Sequence, residues 1–244
     1  MRALILAAGW GTRLGRAARG RAKALVPIGS RHALDWALCA ADRLVEVDRI
    51  DVLASAYHAP GFHAWASERR PRARLRVLDD GVTAAHQRRG AIGDLAYYLD
   101  RFPPADDLLV LAGDNVFDLP LAALARHARV APTVVVMDLG HPDRVRPYAS
   151  VVLDQGGRVT ELVEKDPAPP SSLAATALYG IPRARQRDPR AYLEAGGLAD
   201  NLGHLARWWS EAGLLRGVLG AGRWIDVGTA ADLARARRLF GDET

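Results

Sequence analysis

The stretch that decides the fold is ALILAAGWGTRL, which occupies residues 3–14. Residues 3–8 form a short, continuously apolar run, and such runs are typical of a strand that is buried on both faces of a parallel sheet. Gly9 and Gly11 follow at once, with Arg13 behind them. Small residues let backbone N–H groups approach phosphate oxygens, and an arginine adds a permanent, forked cation. The stretch therefore predicts a strand that runs into a phosphate-binding loop, although a simple tight turn explains the glycines equally well.

This loop differs from two familiar phosphate-binding motifs. No Gly-Lys-Ser/Thr follows it, which excludes a Walker loop. The third glycine, Gly15, stands one position too late for a dinucleotide-binding fingerprint. The combination of small residues and a cation favours a triphosphate as the ligand.

Strand-like and helical patterns alternate along the chain. The candidate strands of the first part are residues 3–8, 50–54, 75–78, 108–112 and 133–137, and a helix at 33–45 follows Ser30 as its cap. After Met137 the pattern changes to a hairpin, a further strand and two helices, at residues 150–163, 174–181, 199–212 and 230–240. This alternation predicts an α/β protein with a mainly parallel or mixed central sheet.

Composition excludes several classes of protein. Hydrophobic residues make up 49% and charged residues 25% of the 244 positions, which is ample for a core and argues against disorder. No run approaches the roughly 20 apolar residues that a membrane-spanning helix needs. The single cysteine, Cys39, excludes an intrachain disulfide and suits a reducing compartment, so we expect a cytoplasmic protein.

The charge balance raises the question of nucleic-acid binding. The formal net charge is +5 and the sequence pI is about 9.8. The basic residues are scattered and interleaved with acids, with no basic-aromatic stripe, so we expect no nucleic-acid partner. A small, phosphate-rich substrate benefits from the same positive field.

The segment after the loop adds a second signal. Lys23 stands in AKALVP at residues 22–27, before the first predicted helix. Together the two segments resemble the signature of the sugar-phosphate nucleotidyltransferase family, which reads approximately L-A-A-G-x-G-T-R-L, a short spacer and P-K-A-L. Ala22 stands where the family usually has proline. The resemblance, from about residue 4 to residue 239, implies a three-layer α/β/α Rossmann-like nucleotide-diphospho-sugar transferase fold. It implies a single domain over residues 1–244, with a nucleotide-binding half at 1–138 and an acceptor-binding half at 139–244.

Two aspartates are candidate metal ligands. Asp114 follows the strand at 108–112, at the sheet edge where ligands of open α/β sheets bind, and a carboxylate there can hold Mg²⁺. A turn or cap is its alternative role. The family has the same Gly-Asp-Asn/Asp element, and residues 224–229 match its W-x-D-x-G-T element, which implies Asp226 as the second ligand. The alternative for Asp226 is to cap the last helix. Two carboxylates plus substrate phosphates fit the habit of magnesium.

The resemblance also implies the nucleotide site. Arg13, Lys23 and Asp114 are the implied catalytic residues: Arg13 contacts the triphosphate and the departing pyrophosphate, while Lys23 bridges phosphates. The implied nucleotide-binding residues are Leu6, Ala7, Ala8, Gly9, Gly11, Thr12, Arg13, Gly90 and Asp114. Gly90 belongs to a stretch whose glycine admits the nucleobase in the family. Gln87 and Arg88 are candidate base readers, although a solvated loop explains each equally well.

The acceptor site rests on later segments. The V-E-K of residues 163–165 resembles the family's V-E-K-P, with Asp166 in place of the proline. The implied acceptor-binding residues are Tyr148, Ala149, Glu164, Lys165 and Thr176. Ala149 and Ala177 replace glycines that lie against the sugar ring in the family, so each methyl should narrow the pocket. A deoxy sugar, a cyclitol phosphate or another polyol phosphate is therefore an alternative to an ordinary hexose 1-phosphate.

These expectations combine into one function: a Mg²⁺-dependent enzyme that joins a nucleoside triphosphate to a phosphorylated, sugar-like acceptor and releases pyrophosphate. One alternative is a non-catalytic nucleotide-binding subunit of the same fold. Another is a glycosyltransferase, which the absence of Asp-x-Asp at residues 114–116 disfavours. The nucleotide, the acceptor and the oligomeric state, including a homo-oligomer, stay open. We expect no added regulatory or acyltransferase domain, because the sequence ends shortly after the element at 224–229.

Overall fold

The structure is a computed structural model that describes residues 1–18 and 20–241. Its strands are β1 (Arg2–Leu6), β2 (Pro27–Ile28), β3 (Arg31–His32), β4 (Arg49–Ala54), β5 (Arg74–Asp79), β6 (Leu108–Ala112), β7 (Asn115–Phe117), β8 (Thr133–Asp138), β9 (Ala149–Leu153), β10 (Val159–Glu164), β11 (Leu173–Ile181), β12 (Arg216–Leu219) and β13 (Trp224–Asp226). Its helices are α1 (Ala33–Asp42), α2 (Ala59–Ser67), α3 (Ala91–Arg101), α4 (Ala122–His127), α5 (Asp188–Glu194), α6 (Leu202–Glu211) and α7 (Ala230–Phe240).

The chain divides into two compact units, and each has discontinuous parts. Unit 1 comprises Met1–Arg88, Leu111–Leu119 and Gly222–Thr244, and unit 2 comprises Arg89–Val110 and Pro120–Ala221. The chain passes from unit 2 into unit 1 within β6.

Unit 1 contains the parallel strands β1, β4 and β5. Ala3 of β1 pairs with Ile50 of β4, and Val52 of β4 pairs with Val77 of β5. Leu4 and Ile5 are fully buried, as expected for an apolar strand that is covered on both faces. Helix α1 packs against β1 and helix α2 against β5.

Helix α1 and the last helix, α7, meet in the core of unit 1. Strands β7 and β13 pair antiparallel, with Val116 opposite Ile225. Trp36 of α1 packs edge-on against Phe240 of α7, with ring centroids 5.8 Å apart. These buried side chains belong to one apolar cluster, which holds the β7–β13 ribbon beside α1 and α7.

Unit 2 is built on antiparallel pairing. Strand β9 pairs with β10 and β11, β11 also pairs with β8, and β12 joins β8 in parallel. Helix α6 packs against β10, and α4 packs against β8 and β11. Mixed strand directions thus occur together with helices, which confirms the predicted α/β class with a mixed, partly parallel sheet.

The predicted first helix is confirmed, but its cap and its end differ from expectation. His32 and Asp35 form a capping box at the start of α1, two residues after Ser30. The helix ends at Asp42, and Val45 is 83% exposed, so the apolar pattern extended beyond the helix. Helices α2 and α5 were not predicted from the sequence. Each carries a proline in its first turn, where the missing N–H is tolerated. Within the described ranges, no helix has the length and apolarity to cross a membrane.

Candidate active site

The predicted phosphate loop leaves β1 at Leu6 with its backbone tied to neighbouring elements. Ala7 N donates to Leu53 O at 2.8 Å, and Gly113 N donates to Leu6 O at 2.9 Å. Gly11 has a φ of +62°, and a methyl group there would lie 2.9 Å from Cβ of Lys23. Glycine is therefore required at position 11 for its conformation and for the close approach of Lys23. Ala7 and Ala8 are buried, whereas Gly9, Thr12 and Arg13 are exposed.

Lys23 lies between the two predicted metal ligands. Its ammonium forms an ion pair with the Asp114 carboxylate and lies 3.6 Å from Oδ1 of Asp226. The Lys23 side chain is buried, while those of Asp114 and Asp226 are 28% and 37% exposed. The structure thus brings together three of the predicted residues from distant parts of the sequence. Arg13 is nearby, because its guanidinium lies 4.0 Å from the place of a methyl group on Gly228.

The electrostatics of these groups are linked. Burial opposes the charge on Lys23, but Asp114 and Asp226 outweigh it and raise the pKa of Lys23. Burial also opposes the charge on Asp114, yet the Lys23 ammonium and the Asn115 amide hold its pKa below the usual value. Burial, together with the negative charge of Asp114, raises the pKa of Asp226 to about 6. The two carboxylates therefore repel each other and need positive charge between them.

The β7–β13 ribbon explains why the two aspartates converge. Asp226 pairs with Asn115 across this ribbon, and Val227 N donates to Asp114 O at 3.0 Å. The Asp226 side chain is not needed as a helix cap, because Thr229 and Asp232 form the capping box of α7. Asp226 is thus placed by strand pairing.

Two residues that the sequence analysis did not single out support Asp114. The buried Asn115 donates from Nδ2 to Asp114 Oδ1 at 3.0 Å. Its Oδ1 accepts from Nε1 of Trp224 at 2.7 Å. The sequence places Asn115 directly after the candidate ligand, but its burial and its hydrogen bond with Trp224 are visible only in the structure.

Aromatic residues lie beside the phosphate loop. Trp10 stacks on Tyr57, with ring centroids 5.1 Å apart, and meets the His58 ring edge-on at the same distance. Nearby, the buried Asp80 carboxylate accepts from Val82 N at 2.7 Å and Ala56 N at 3.3 Å. These contacts tie together the loops that follow β4 and β5, so Asp80 has a structural role.

The segment predicted to admit the nucleobase has a different local explanation for its glycine. Gly90 has a φ of +80°, and a methyl group there would lie 2.6 Å from Cα of Asp200. Glycine is therefore required at position 90 by the backbone of unit 2, whatever the nucleobase does. Gln87 and Arg88 are both exposed, and Gln87 ends a short 3₁₀ turn.

Four of the five predicted acceptor residues lie together in unit 2. Ala149 of β9 pairs with Glu164 of β10 on one side and with Ala175 of β11 on the other. Lys165 N donates to Tyr148 O at 3.0 Å. Directly paired residues share a face of the sheet, so the Glu164 and Ala149 side chains are neighbours.

Thr176 differs from the other four. The pairing of β11 with β8 is irregular between Ala175 and Tyr179, the stretch that contains Thr176. The Thr176 hydroxyl is buried and donates to Val135 O at 2.8 Å. Its hydrogen bond is thus spent on the sheet, which gives a structural reason for threonine at this position.

Comparison with known proteins identifies the family to which this chain belongs. The sequence model described as "Nucleotidyl transferase" matches residues 2–243. The chain belongs to the nucleotidyl transferase family. This confirms the resemblance and the prediction of a nucleotidyltransferase enzyme.

Individual relatives agree with this assignment. The chain is 26% identical over 185 residues to UTP–glucose-1-phosphate uridylyltransferase AglF of Haloferax volcanii, covering 73% of this chain and 71% of the relative. It is 28% identical over 194 residues to glucose-1-phosphate adenylyltransferase of Thermomicrobium roseum, covering 72% of this chain but only 44% of the relative. Its fold matches a Bacillus anthracis protein described as a glucose-1-phosphate thymidylyltransferase, solved in complex with a sucrose, with a TM-score of 0.82 at 20% identity. That match covers 100% of this chain and 96% of the other.

Proposed function

We propose that this nucleotidyltransferase joins a nucleoside triphosphate to a sugar 1-phosphate or a similar sugar-like phosphate, giving a nucleoside-diphosphate sugar and pyrophosphate. The relatives named above act on glucose 1-phosphate by name, which supports a sugar phosphate as the acceptor class. The observation that carries the proposal is the convergence of Asp114 and Asp226 on Lys23, behind the loop that carries Arg13.

The two aspartates suit a small divalent cation. Their carboxylates are partly exposed, and burial together with the negative charge of Asp114 raises the pKa of Asp226. Within residues 1–18 and 20–241, no cluster of three or more His, Cys, Asp or Glu side chains could hold a metal. Two carboxylates completed by substrate phosphates and water are the usual ligands of magnesium. Asp114 and Asp226 would therefore hold Mg²⁺, which neutralises phosphate charge when bound.

The reaction requires no nucleophile from the protein. An oxygen of the acceptor phosphate attacks the α-phosphorus, and the bond to the departing pyrophosphate breaks on the opposite side. Both reactants are anions at neutral pH, so the chain's task is to position them and to offset their repulsion. Lys23 and Arg13 supply positive charge for this purpose, Lys23 at the reacting phosphates and Arg13 at the pyrophosphate.

We assign the remaining nucleotide contacts to the predicted residues. The backbone of the segment from Leu6 to Thr12 would bind the triphosphate, because Gly9 has open space around it and Gly11 adopts a conformation that favours glycine. Gly90 remains our proposal for the nucleobase pocket, alongside its structural role.

The acceptor would bind beside Tyr148, Ala149, Glu164 and Lys165. Glu164 would accept hydrogen bonds from acceptor hydroxyls, and Lys165 would bind the acceptor phosphate. The methyl group of Ala149 points to the same face as Glu164, so it narrows this region and favours an acceptor smaller than a fully hydroxylated hexose. We propose that Thr176 contacts the acceptor through its backbone, because its hydroxyl is hydrogen-bonded to Val135.

Organisation and location complete the proposal. We propose one functional domain, with nucleotide contacts mainly before residue 138 and acceptor contacts after it. The cytoplasm is the proposed location, supported by one cysteine in 244 residues.

A matrix of nucleotides and acceptors tests the proposal. UTP, CTP, dTTP, ATP and GTP are each combined with glucose 1-phosphate, a deoxyhexose 1-phosphate and a cyclitol phosphate in the presence of Mg²⁺, and pyrophosphate release is measured. The wild type should release pyrophosphate with at least one pair. Asp114→Asn should lower kcat/KM by roughly 10² to 10⁴, as expected for loss of a charge-stabilising group.

Asp118→Asn is the matched control, because Asp118 lies four residues further along and pairs with the exposed Arg223. It should keep nearly full activity. A wild type that releases no pyrophosphate with any pair would contradict the proposed function. A folded Asp114→Asn variant with the wild-type rate would contradict the role of Asp114.

A further inference from the structure

The proposed acceptor ligand Glu164 lies against the first turn of helix α6. Asn201 caps this helix by accepting from Gly203 N at 3.0 Å. The same asparagine donates a hydrogen bond to the Glu164 carboxylate, although burial outweighs this contact and raises the pKa of Glu164. The partial positive charge of a helix start also favours a carboxylate there. Glu164 is thus held at its tip by α6 as well as at its backbone by β10.

Gly203 leaves the space that the carboxylate occupies. A methyl group on Gly203 would lie 2.8 Å from Cδ of Glu164 and closer still to Oε1. Real methyl groups do not approach other atoms so closely, and Gly203 is itself buried in α6. Any larger residue at position 203 would therefore displace the Glu164 carboxylate.

Helix stability does not explain the glycine. Gly203 lies in the first turn of α6 and does not have a positive φ, so its backbone conformation is open to any residue. Glycine is a poor helix former, and alanine is favoured over it at such a position. The close approach of the Glu164 carboxylate is the contact that a larger residue at this position would disturb.

The backbone after Glu164 is equally constrained. Lys165 is the one non-glycine residue with a positive φ in the described part of the chain, at +51°. Such a conformation persists only where the surroundings hold it, and it often marks a functional site. Its N–H is tied to Tyr148 O, next to Ala149. The backbone that follows Glu164 is therefore held next to Ala149.

We infer that Gly203 is a positioning residue for the acceptor: by leaving room for the Glu164 carboxylate at the start of α6, it sets how tightly the acceptor binds. This inference rests on the proposed function, in which Glu164 binds acceptor hydroxyls. It predicts that the size of residue 203 controls the KM for the acceptor and leaves the nucleotide unaffected.

Steady-state kinetics of four proteins test the inference: wild type, Gly203→Ala, Gly61→Ala and the double variant Gly203→Ala with Glu164→Asp. Glucose 1-phosphate is the acceptor probe, together with the fastest acceptor from the matrix described above. Gly203→Ala should raise the KM for the acceptor about tenfold, the effect expected when a hydrogen bond to a charged group is misplaced, with the KM for the nucleotide changed less than about twofold.

The double variant should recover part of this loss, because aspartate is one methylene shorter and clears the new methyl group. Gly61→Ala is the matched control, since Gly61 lies in α2 and its added methyl would make only an ordinary 3.4 Å contact with Leu25. It should match the wild type. An unchanged acceptor KM in Gly203→Ala, or a double variant no better than Gly203→Ala, would overturn the inference.

Crystal structures of the variants test the position of the Glu164 carboxylate independently of the proposed function. In Gly203→Ala the Glu164 carboxylate should leave the start of α6, and in Gly61→Ala it should stay. If no pair of substrates reacts, the proposed function fails, but this displacement still tests the positioning. A Glu164 carboxylate that keeps its place in Gly203→Ala would show the inference to be wrong.

Discussion

At the scale of single residues, the site depends on a balance of charges around one lysine. Lys23 is buried, which disfavours its charge, but two carboxylates lie close enough to retain it. Asp114 makes the nearer contact and Asp226 the longer one, and both raise the pKa of Lys23. Two carboxylates around one ammonium leave an excess of negative charge, which favours a positively charged ligand.

Asn115 is predicted to control the orientation of the Asp114 carboxylate. Asn115→Leu removes the amide that donates to Asp114 Oδ1 and keeps a side chain of similar size in this buried position. We expect kcat to fall by about 10- to 100-fold, as for other partners that orient metal ligands, with the protein still folded. Pyrophosphate release under saturating substrates measures the effect.

Trp224→Phe is the matched control for this prediction. It keeps an aromatic ring but removes the N–H that holds Asn115, one step further from Asp114. Its loss of activity should be smaller than that of Asn115→Leu. Full activity in Asn115→Leu would show that Asp114 needs no such support.

At the scale of elements, helix α1 is anchored by one buried carboxylate. Asp35 accepts from His32 N at 2.7 Å, from Trp65 Nε1 at 2.9 Å and from Arg69 Nε at 2.8 Å. Burial opposes its charge, but these hydrogen bonds outweigh burial and hold the pKa of Asp35 well below its usual value. The cap of α1 thus also joins α1 to α2 and to the segment that follows it.

We predict that Asp35→Asn lowers the free energy of unfolding by about 2–4 kcal/mol at neutral pH, because charged hydrogen bonds are lost in a buried place. A depressed pKa stabilises the fold above the unfolded value of about 3.9 and loses that contribution as the pH falls below it. The difference between wild type and variant should therefore shrink in denaturant titrations at about pH 3.

Asp48→Asn serves as the control, since the Asp48 side chain is 74% exposed. Its unfolding free energy should stay within about 0.5 kcal/mol of the wild type at both pH values. An Asp35→Asn difference that is constant with pH would contradict the assignment of a depressed pKa.

The element scale also shows where sequence patterns reach their limit. The apolar spacing predicted α1 correctly, but its cap depended on His32 and Asp35, whose partners Trp65 and Arg69 lie in a helix and turn that the pattern did not reveal. The motif likewise predicts Thr176 as an acceptor residue, and only the structure shows that its hydroxyl donates to Val135 O. Motifs locate a strand, but strand pairing decides which side chains face the site.

At the scale of the whole molecule, the sequence predicted the family, the α/β class and the residues around Lys23, because ordered motifs spread over nearly the entire chain. It did not predict Asn115, Trp224 or Gly203. Asn115 is held by Trp224, 109 residues later, and Gly203 lies against Glu164 of another element, so no local pattern encodes these contacts. The supporting residues of a site are therefore harder to read from one sequence than the ligands themselves.

In the proposed site, Asp114 and Asp226 jointly hold a divalent cation together with the triphosphate. Anomalous diffraction from crystals soaked with Mn²⁺ and a non-hydrolysable nucleoside triphosphate tests it most directly. We expect one manganese peak within bonding distance of both carboxylates, with the Lys23 ammonium displaced toward the phosphates. A bound nucleotide whose manganese touches neither aspartate would contradict it.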